Sequence, residues 1–297
     1  MFGRAAMGLF RTMGIPEYLR PRSNHVFSFR QKPALAAFMA EEGLSYHGLC
    51  AQLGKYRGFM EAVGLTYIPD GSTMCRFVSR LDTSLIESLF GPFSGISGKG
   101  CVLAMDATGL SNFRRSAHYE KRCGDFGKSP RRTFTKLSLV VDTVKRFVLS
   151  ARASCSNRAD VSFSMEHVAD LEAFGTSPSM IVADKGYDSD TLHRTIRNSL
   201  GCEARIPVRK SRGKRGYVVH GVFRRDMLAL MEDEDTWRKD YGRRAVVESC
   251  NFMIKFTTGD HIDENIPRSR ENKALLKAFS FNISNSIRLG CDWRLSV

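Results

Sequence analysis

Residues 101–106 read CVLAMD, an apolar run closed by an acid. A run this short and this apolar has the pattern of a central strand buried on both faces. Two more extended runs follow, TKLSLVVD at 135–142 and RFVLSARAS at 146–154, joined by a turn short enough for a hairpin. Helical spacing then returns over 160–174, with Val161, Met165, Val168 and Leu171 on one side. MIVAD at 180–184 is a second apolar run closed by an acid, 188–200 predicts a helix, and CEARIPV at 202–208 predicts a strand.

The order is therefore three strands, then helix, strand, helix, strand. It predicts an α/β fold with a mixed sheet flanked by helices, the order of a ribonuclease-H-like fold. Upstream, GPFSGISGKG at 91–100 predicts a linker. Before it, 32–42, 45–53, 57–63 and 72–80 predict helices, with Ser45 as an N-cap and a Pro69-Asp70-Gly71 turn before the last. The organisation expected is a small all-helical DNA-binding domain over 1–95 and a catalytic domain over 96–297 with basic inserts near 113–132 and 209–240. Residues 1–30, with two prolines and several arginines, predict an arm without a core of its own. Residues 59–80 fit either a helix-turn-helix or an ordinary pair of bundle helices. Towards the C-terminus, 268–289 predicts a long helix that closes the core or supports a dimer.

The chain has 297 residues, with 45 Lys and Arg against 31 Asp and Glu, a net charge of +14 and a pI near 9.6. Such a balance points to a polyanionic partner. Residues 1–95 carry ten Lys and Arg against seven Asp and Glu, so most of the excess lies further on. No apolar run reaches the length of a membrane span, and Arg4 and Arg11 break any signal-peptide core; the expectation is a soluble intracellular protein. Eight cysteines are scattered without a CxxC pair, which argues against a zinc finger.

Asp106 and Asp184 each close a predicted strand, and in open α/β sheets sites form beyond such strand ends. Taken alone, each reads equally as a turn or cap residue. YGRRAVVESCNFMIK, residues 241–255, predicts a single helix. At about 100° per residue, Tyr241, Arg244, Glu248 and Lys255 share one face, opposite an apolar stripe of Val246, Val247, Cys250, Met253 and Ile254. By itself that polar face is either solvated or a phosphate-binding surface with one metal ligand. Together Asp106, Asp184 and Glu248 offer hard oxygen donors for Mg²⁺ or Mn²⁺, with room in such chemistry for two ions. Lys185, beside Asp184, suits the same DNA backbone. Gly186 reads either as a turn glycine or as a point of close approach, and Tyr187 as a packing residue.

The spacing Tyr241-x2-Arg244-x3-Glu248-x6-Lys255 resembles the signature of insertion-sequence transposases of the IS4 and IS5 type. Residues 183–188, ADKGYD, resemble their second-aspartate motif, and 105–108, MDAT, their first. The resemblance runs from about Val102 to the C-terminus. It implies an acidic triad of Asp106, Asp184 and Glu248, with Tyr241, Arg244, Arg243, Lys185 and Lys255 on DNA. It also implies metal-dependent cleavage at the terminal inverted repeats of an element, strand transfer of the 3′-hydroxyl into target DNA, and a homodimer in the DNA complex. No membrane partner is expected, and the location implied is cytoplasmic and nucleoid-associated. Two other readings of the residues stay open: a ribonuclease-H-like nuclease that only hydrolyses DNA, and a non-enzymatic DNA-binding regulator.

Overall fold

The computed structural model describes residues 1–19, 26–112, 121–122, 125, 134–209, 211–213 and 216–293. Of the basic inserts, the tract at 113–132 lies almost wholly outside them. The chain starts with seven helices: α1 (Phe2–Thr12), α2 (Gln31–Glu41), α3 (Tyr46–Gln52), α4 (Arg57–Val63), α5 (Gly71–Arg80), α6 (Thr83–Ser88) and α7 (Gly91–Ser97). The strands β1 (Cys101–Ser111), β2 (Phe134–Asp142) and β3 (Val148–Ser154) follow, then α8 (Val161–Ala173), β4 (Pro178–Ala183), α9 (Asp190–Leu200) and β5 (Glu203–Arg205). A small hairpin of β6 (Ser211–Gly213) and β7 (Gly216–Val218) leads to α10 (Val222–Leu230), α11 (Glu234–Tyr241), α12 (Ala245–Thr258) and α13 (Pro267–Arg288).

Five strands form one sheet in the order β3-β2-β1-β4-β5. β2 is antiparallel to both its neighbours, whereas β4 and β5 run parallel to β1. The ribonuclease-H-like mixed sheet read from the sequence is therefore present. The β2–β3 turn is closed by Asp142, whose Oδ1 accepts the Val144 and Lys145 N–H groups at 2.7 and 3.2 Å. α8 covers one sheet face, where the buried His167 ring meets the Ser138 and Ser150 hydroxyls at 2.9 and 2.7 Å. α12 and α13 cover the other.

Three expectations are corrected by packing. Residues 91–97 are a helix, not a linker, because Phe93 is fully buried with its ring 5.1 Å from Phe147 and 5.4 Å from Trp293. The first residues are no coreless arm: α1 buries Ala6, Leu9 and Phe10 on one side, and Phe10 stacks on Phe279 at 6.0 Å. Arg4 and Arg11 fall on its solvent side, so the two charges that break an apolar run leave an amphipathic helix intact. Finally, 241–255 is not one helix. α11 ends at Tyr241, residues 242–244 form a single 3₁₀ turn, and α12 starts at Ala245.

α13 is the element around which the rest is assembled. Leu275, Leu276, Phe279 and Ile283 are fully buried between the N-terminal helices and the sheet. Asn282 completes the backbone pairing of β3, its Oδ1 accepting Val148 N–H at 2.8 Å and its Nδ2 donating to Val148 C=O at 2.7 Å. Asn272 likewise donates to the Val78 and Leu81 carbonyls at the end of α5. The helical and sheet portions thus share one contiguous core. Among the described residues no helix is long and apolar enough to cross a membrane.

Candidate active site

Strand register brings the first two acids together. Met105 of β1 pairs in parallel with Ala183 of β4, so Asp106 and Asp184 are the next residues on adjacent chains. Adjacent strands lie about 4.8 Å apart, and residues in register project to the same face. The sequence expectation that β1 stops at Asp106 needs correction, since β1 runs on to Ser111, paired with β2 and, at Ser111 itself, bridged to His261. What ends at Asp106 is its pairing with β4. The acid therefore sits at a notch in the sheet, with a strand on one side and an open turn on the other.

Each aspartate is held differently. Asp184 is exposed and caps the single 3₁₀ turn 185–187, its Oδ1 accepting the Lys185 N–H at 2.6 Å. Asp106 is half-buried and accepts the Asn251 Nδ2–H at 3.2 Å from α12. Burial pushes the Asp106 carboxyl above its ordinary range; the Ala107 N–H and the Arg244 charge oppose that, while Glu248 and Asp160 reinforce it. Asn251 itself is buried, and its Oδ1 has no partner. It was not among the residues picked out from the sequence. Its signal was an amide sitting three residues after Glu248, on the side of the helix that otherwise docks on the core.

Glu248 lies in the first turn of α12 with its side chain about half exposed, and pairs with Arg244 at 2.7 Å. The Arg244 guanidinium also lies over the Tyr241 ring, 5.7 Å from its centroid, and that ring stacks on Trp237 at 5.1 Å and 14°. Burial raises the Tyr241 phenol, with Arg244 opposing and Asp184 and Glu248 reinforcing the shift, which places these three charged groups within electrostatic reach of Tyr241. Lys255 is half-buried; burial lowers its ammonium while Asp260 and Asp106 raise it. The 3₁₀ turn that interrupts the predicted helix leaves these groups clustered. Arg243 shares that turn, half-exposed, and Lys185 is exposed beside Asp184. Of the predicted apolar stripe, Val247, Cys250 and Ile254 are buried but Met253 faces outward, and Asn251 and Thr258 take the inner positions instead.

Tyr187 packs, as the sequence implied, and is fully buried. Around Gly186 an added Cβ would meet nothing closer than 3.8 Å, and its φ is not positive, so nothing among the described residues requires a glycine there. Asp160, paired with Lys136 at 2.7 Å, is a further acid within electrostatic reach of Asp106 that the strand-end pattern did not reveal.

Among the described residues no three His, Cys, Asp or Glu side chains converge as a metal cage. The donor chemistry nevertheless fits a hard cation: Asp106 and Asp184 are neighbouring carboxylates, and the third acid is turned towards Arg244 rather than towards them.

No curated protein matches the chain. Among solved structures, the piggyBac transposase synaptic complex with hairpin DNA, determined by cryo-EM, aligns over 99% of this chain and 74% of that one at 10% identity. Its TM-score of 0.40 is too low to carry any argument about site or function. The family of the transposase DDE domain matches residues 97–283, from the end of α7 through the sheet and α12 into α13. With that match covering more than half of its length, the chain belongs to the transposase DDE domain family.

Proposed function

We propose that this protein is a metal-dependent DNA transposase of the insertion-sequence kind, which cleaves DNA at the ends of its element and joins the freed 3′-hydroxyl to target DNA. The observation that carries this reading is that Asp106 and Asp184 directly follow the paired Met105 and Ala183, beside a cluster of Tyr241, Arg244, Glu248 and Lys255. Asp106, Asp184 and Glu248 would hold Mg²⁺ or Mn²⁺, one or two ions, which when bound supply activation of the attacking oxygen and neutralisation of charge on the leaving one. The phosphodiester is displaced in line: an oxygen–phosphorus bond forms, the bond to O3′ breaks, and the released 3′-hydroxyl attacks a second phosphodiester in the same manner.

The chain's own residues position the DNA. Arg244 offers a planar fork that fits a phosphate bidentately, and Lys255 and Lys185 offer point charges on either side of the acids. A phosphate that takes over Arg244 releases Glu248 from its 2.7 Å pair, so substrate binding and completion of the acidic triad are one event. The half-exposed Arg243 and the Trp237–Tyr241 stack border the same face. Residues 1–95 would recognise the terminal inverted repeats, and a homodimer would pair the two ends.

The test is cleavage of the DNA flanking this coding sequence, with divalent metal, by wild type and by Glu248→Gln. Nicking at terminal repeats by wild type alone supports the reading, and nicking by Glu248→Gln at near wild-type rate removes the triad. Supplying pre-cleaved 3′ ends distinguishes strand transfer from a nuclease that only hydrolyses. Sequence-specific binding by the chain with no metal-dependent cleavage would instead make it a DNA-binding regulator.

A further inference from the structure

Four residues after Asp184, Asp188 has a fully buried carboxylate. A buried charge is costly unless it is paired and hydrogen-bonded, and here it is both. Its Oδ1 accepts Arg224 Nε at 2.9 Å, and its Oδ2 accepts Arg224 Nη2 at 2.6 Å and the backbone N–H of Arg209 at 2.7 Å. His193 Nε2 lies 4.0 Å away. The bonds close into a ring. Arg224 Nη2 also donates to the Arg209 carbonyl at 3.0 Å, and Arg209 Nε donates to the Lys185 carbonyl at 2.8 Å. Arg209 is thus gripped at its N–H, its C=O and its side chain, and two of those three grips are on the turn that begins with Asp184.

Arg209 is the root of the β6–β7 hairpin, and Arg224 lies in the first turn of the helix that follows it. Residues 205–225 carry eight Lys and Arg, so this insert is strongly basic in sequence. The backbone is shaped to bring Arg224 in: Gly221 has φ +96°, and a Cβ there would stand 2.2 Å from Asp190 Oδ1. Any other residue at 221 would hold a strained backbone and force the Asp190 side chain to shift.

We propose that Asp188 is a positioning residue, a latch that fixes the root of the basic insert to the turn carrying Asp184, so that DNA held along the insert is kept in register with that acid. Only the identity of what the insert holds rests on the function proposed above. A bidentate arginine pair suits this task because it fixes orientation as well as distance.

The experiment uses full-length protein carrying Asp188→Asn or Arg224→Gln, each checked by thermal melting, on a DNA that wild type cleaves. Cleavage at saturating DNA should fall about tenfold to a hundredfold, the scale of an ångström-sized misplacement, while the Kd for that DNA changes little. The double variant should be no worse than the more damaged single one, since both break one ring. Amide exchange at Arg209 and across 211–218 should speed up in either folded variant without DNA. A part that is merely structural would lower the melting temperature and leave rate and local exchange untouched at temperatures where the variant is folded. Wild-type cleavage, or unchanged exchange at Arg209, in either folded variant overturns the latch. If wild type itself cleaves no DNA, the proposed function fails, and the latch is decided by exchange alone.

Discussion

Asp106 and Glu248 are two acids of the proposed site, yet they are held by opposite means. Asp106 is fixed by the sheet: its strand is hydrogen-bonded on one side to β2 throughout, its neighbour Met105 pairs with Ala183, and the buried Asn251 holds its carboxylate. Glu248 stands half-exposed in the first turn of a helix and is held by one arginine four residues earlier. A strand-held acid moves only with the core, whereas a pair on an exposed helix surface is worth only about 0.3–0.5 kcal/mol and can be exchanged for a better partner. The proposed site is thus built half from fixed geometry and half from a contact ready to be replaced.

The hardest test of that division is to delete the acids themselves. Asp106→Asn and Glu248→Gln should each lower metal-dependent cleavage by about a thousandfold or more, the scale set by losing transition-state electrostatics, with DNA binding in the absence of metal retained. Measurable cleavage by one variant but not the other would show that only one of the two holds the reacting phosphate. Next in size is Asn251→Ala, which removes the grip on the fixed acid. It should lower cleavage about tenfold to a hundredfold, as loss of an outer-shell partner does, and shift the pH at which the rate rises, because the Asp106 carboxyl already titrates above its ordinary range. An unchanged pH profile would mean that Asn251 has no part in setting that carboxyl.

Arg244→Ala probes the exchangeable half. Its expected signature is weaker DNA binding whose log–log salt dependence is shallower by about 0.9, one phosphate contact; the same slope as wild type would leave Arg244 as a partner of Glu248 only. The smallest expected effect on cleavage lies outside the acids and cations of the site. Burial pushes His167 down to about 3, so it is neutral in the folded chain. The unfolded chain binds its proton near pH 6.5, hence the folded state loses stability as pH falls from there towards 3, and His167→Gln should flatten that part of the melting-temperature profile. A profile identical to wild type would place the acid sensitivity elsewhere.

The two halves also differ in how far the sequence discloses them. β1, β4 and their acids were legible because a strand buried on both faces must be a continuous apolar run, and the acid that ends it stands out. The spacing of Tyr241, Arg244, Glu248 and Lys255 was equally plain, although helical geometry over-predicted its regularity: the 3₁₀ turn at 242–244 breaks the helix between the aromatic and the acid. Asn251, Asp160 and Asp188 were not legible as parts of a site. Each is a polar residue whose partner lies on another element, Asp106 for Asn251, Lys136 for Asp160 and Arg224 for Asp188.

The order of strands and helices was readable from the sequence, which also put forward the acids at 106, 184 and 248 and the basic residues around them as the proposed site, because periodicity and local spacing are properties of the chain alone. Tertiary structure decided that Gly91–Ser97 is helical, that α1 belongs to the core, that Asp106 meets Asp184 in register, and that Glu248 faces Arg244 rather than the two aspartates. Those outcomes rest on contacts between residues far apart in sequence, such as Phe93 with Trp293 or Phe10 with Phe279, and no local pattern carries them.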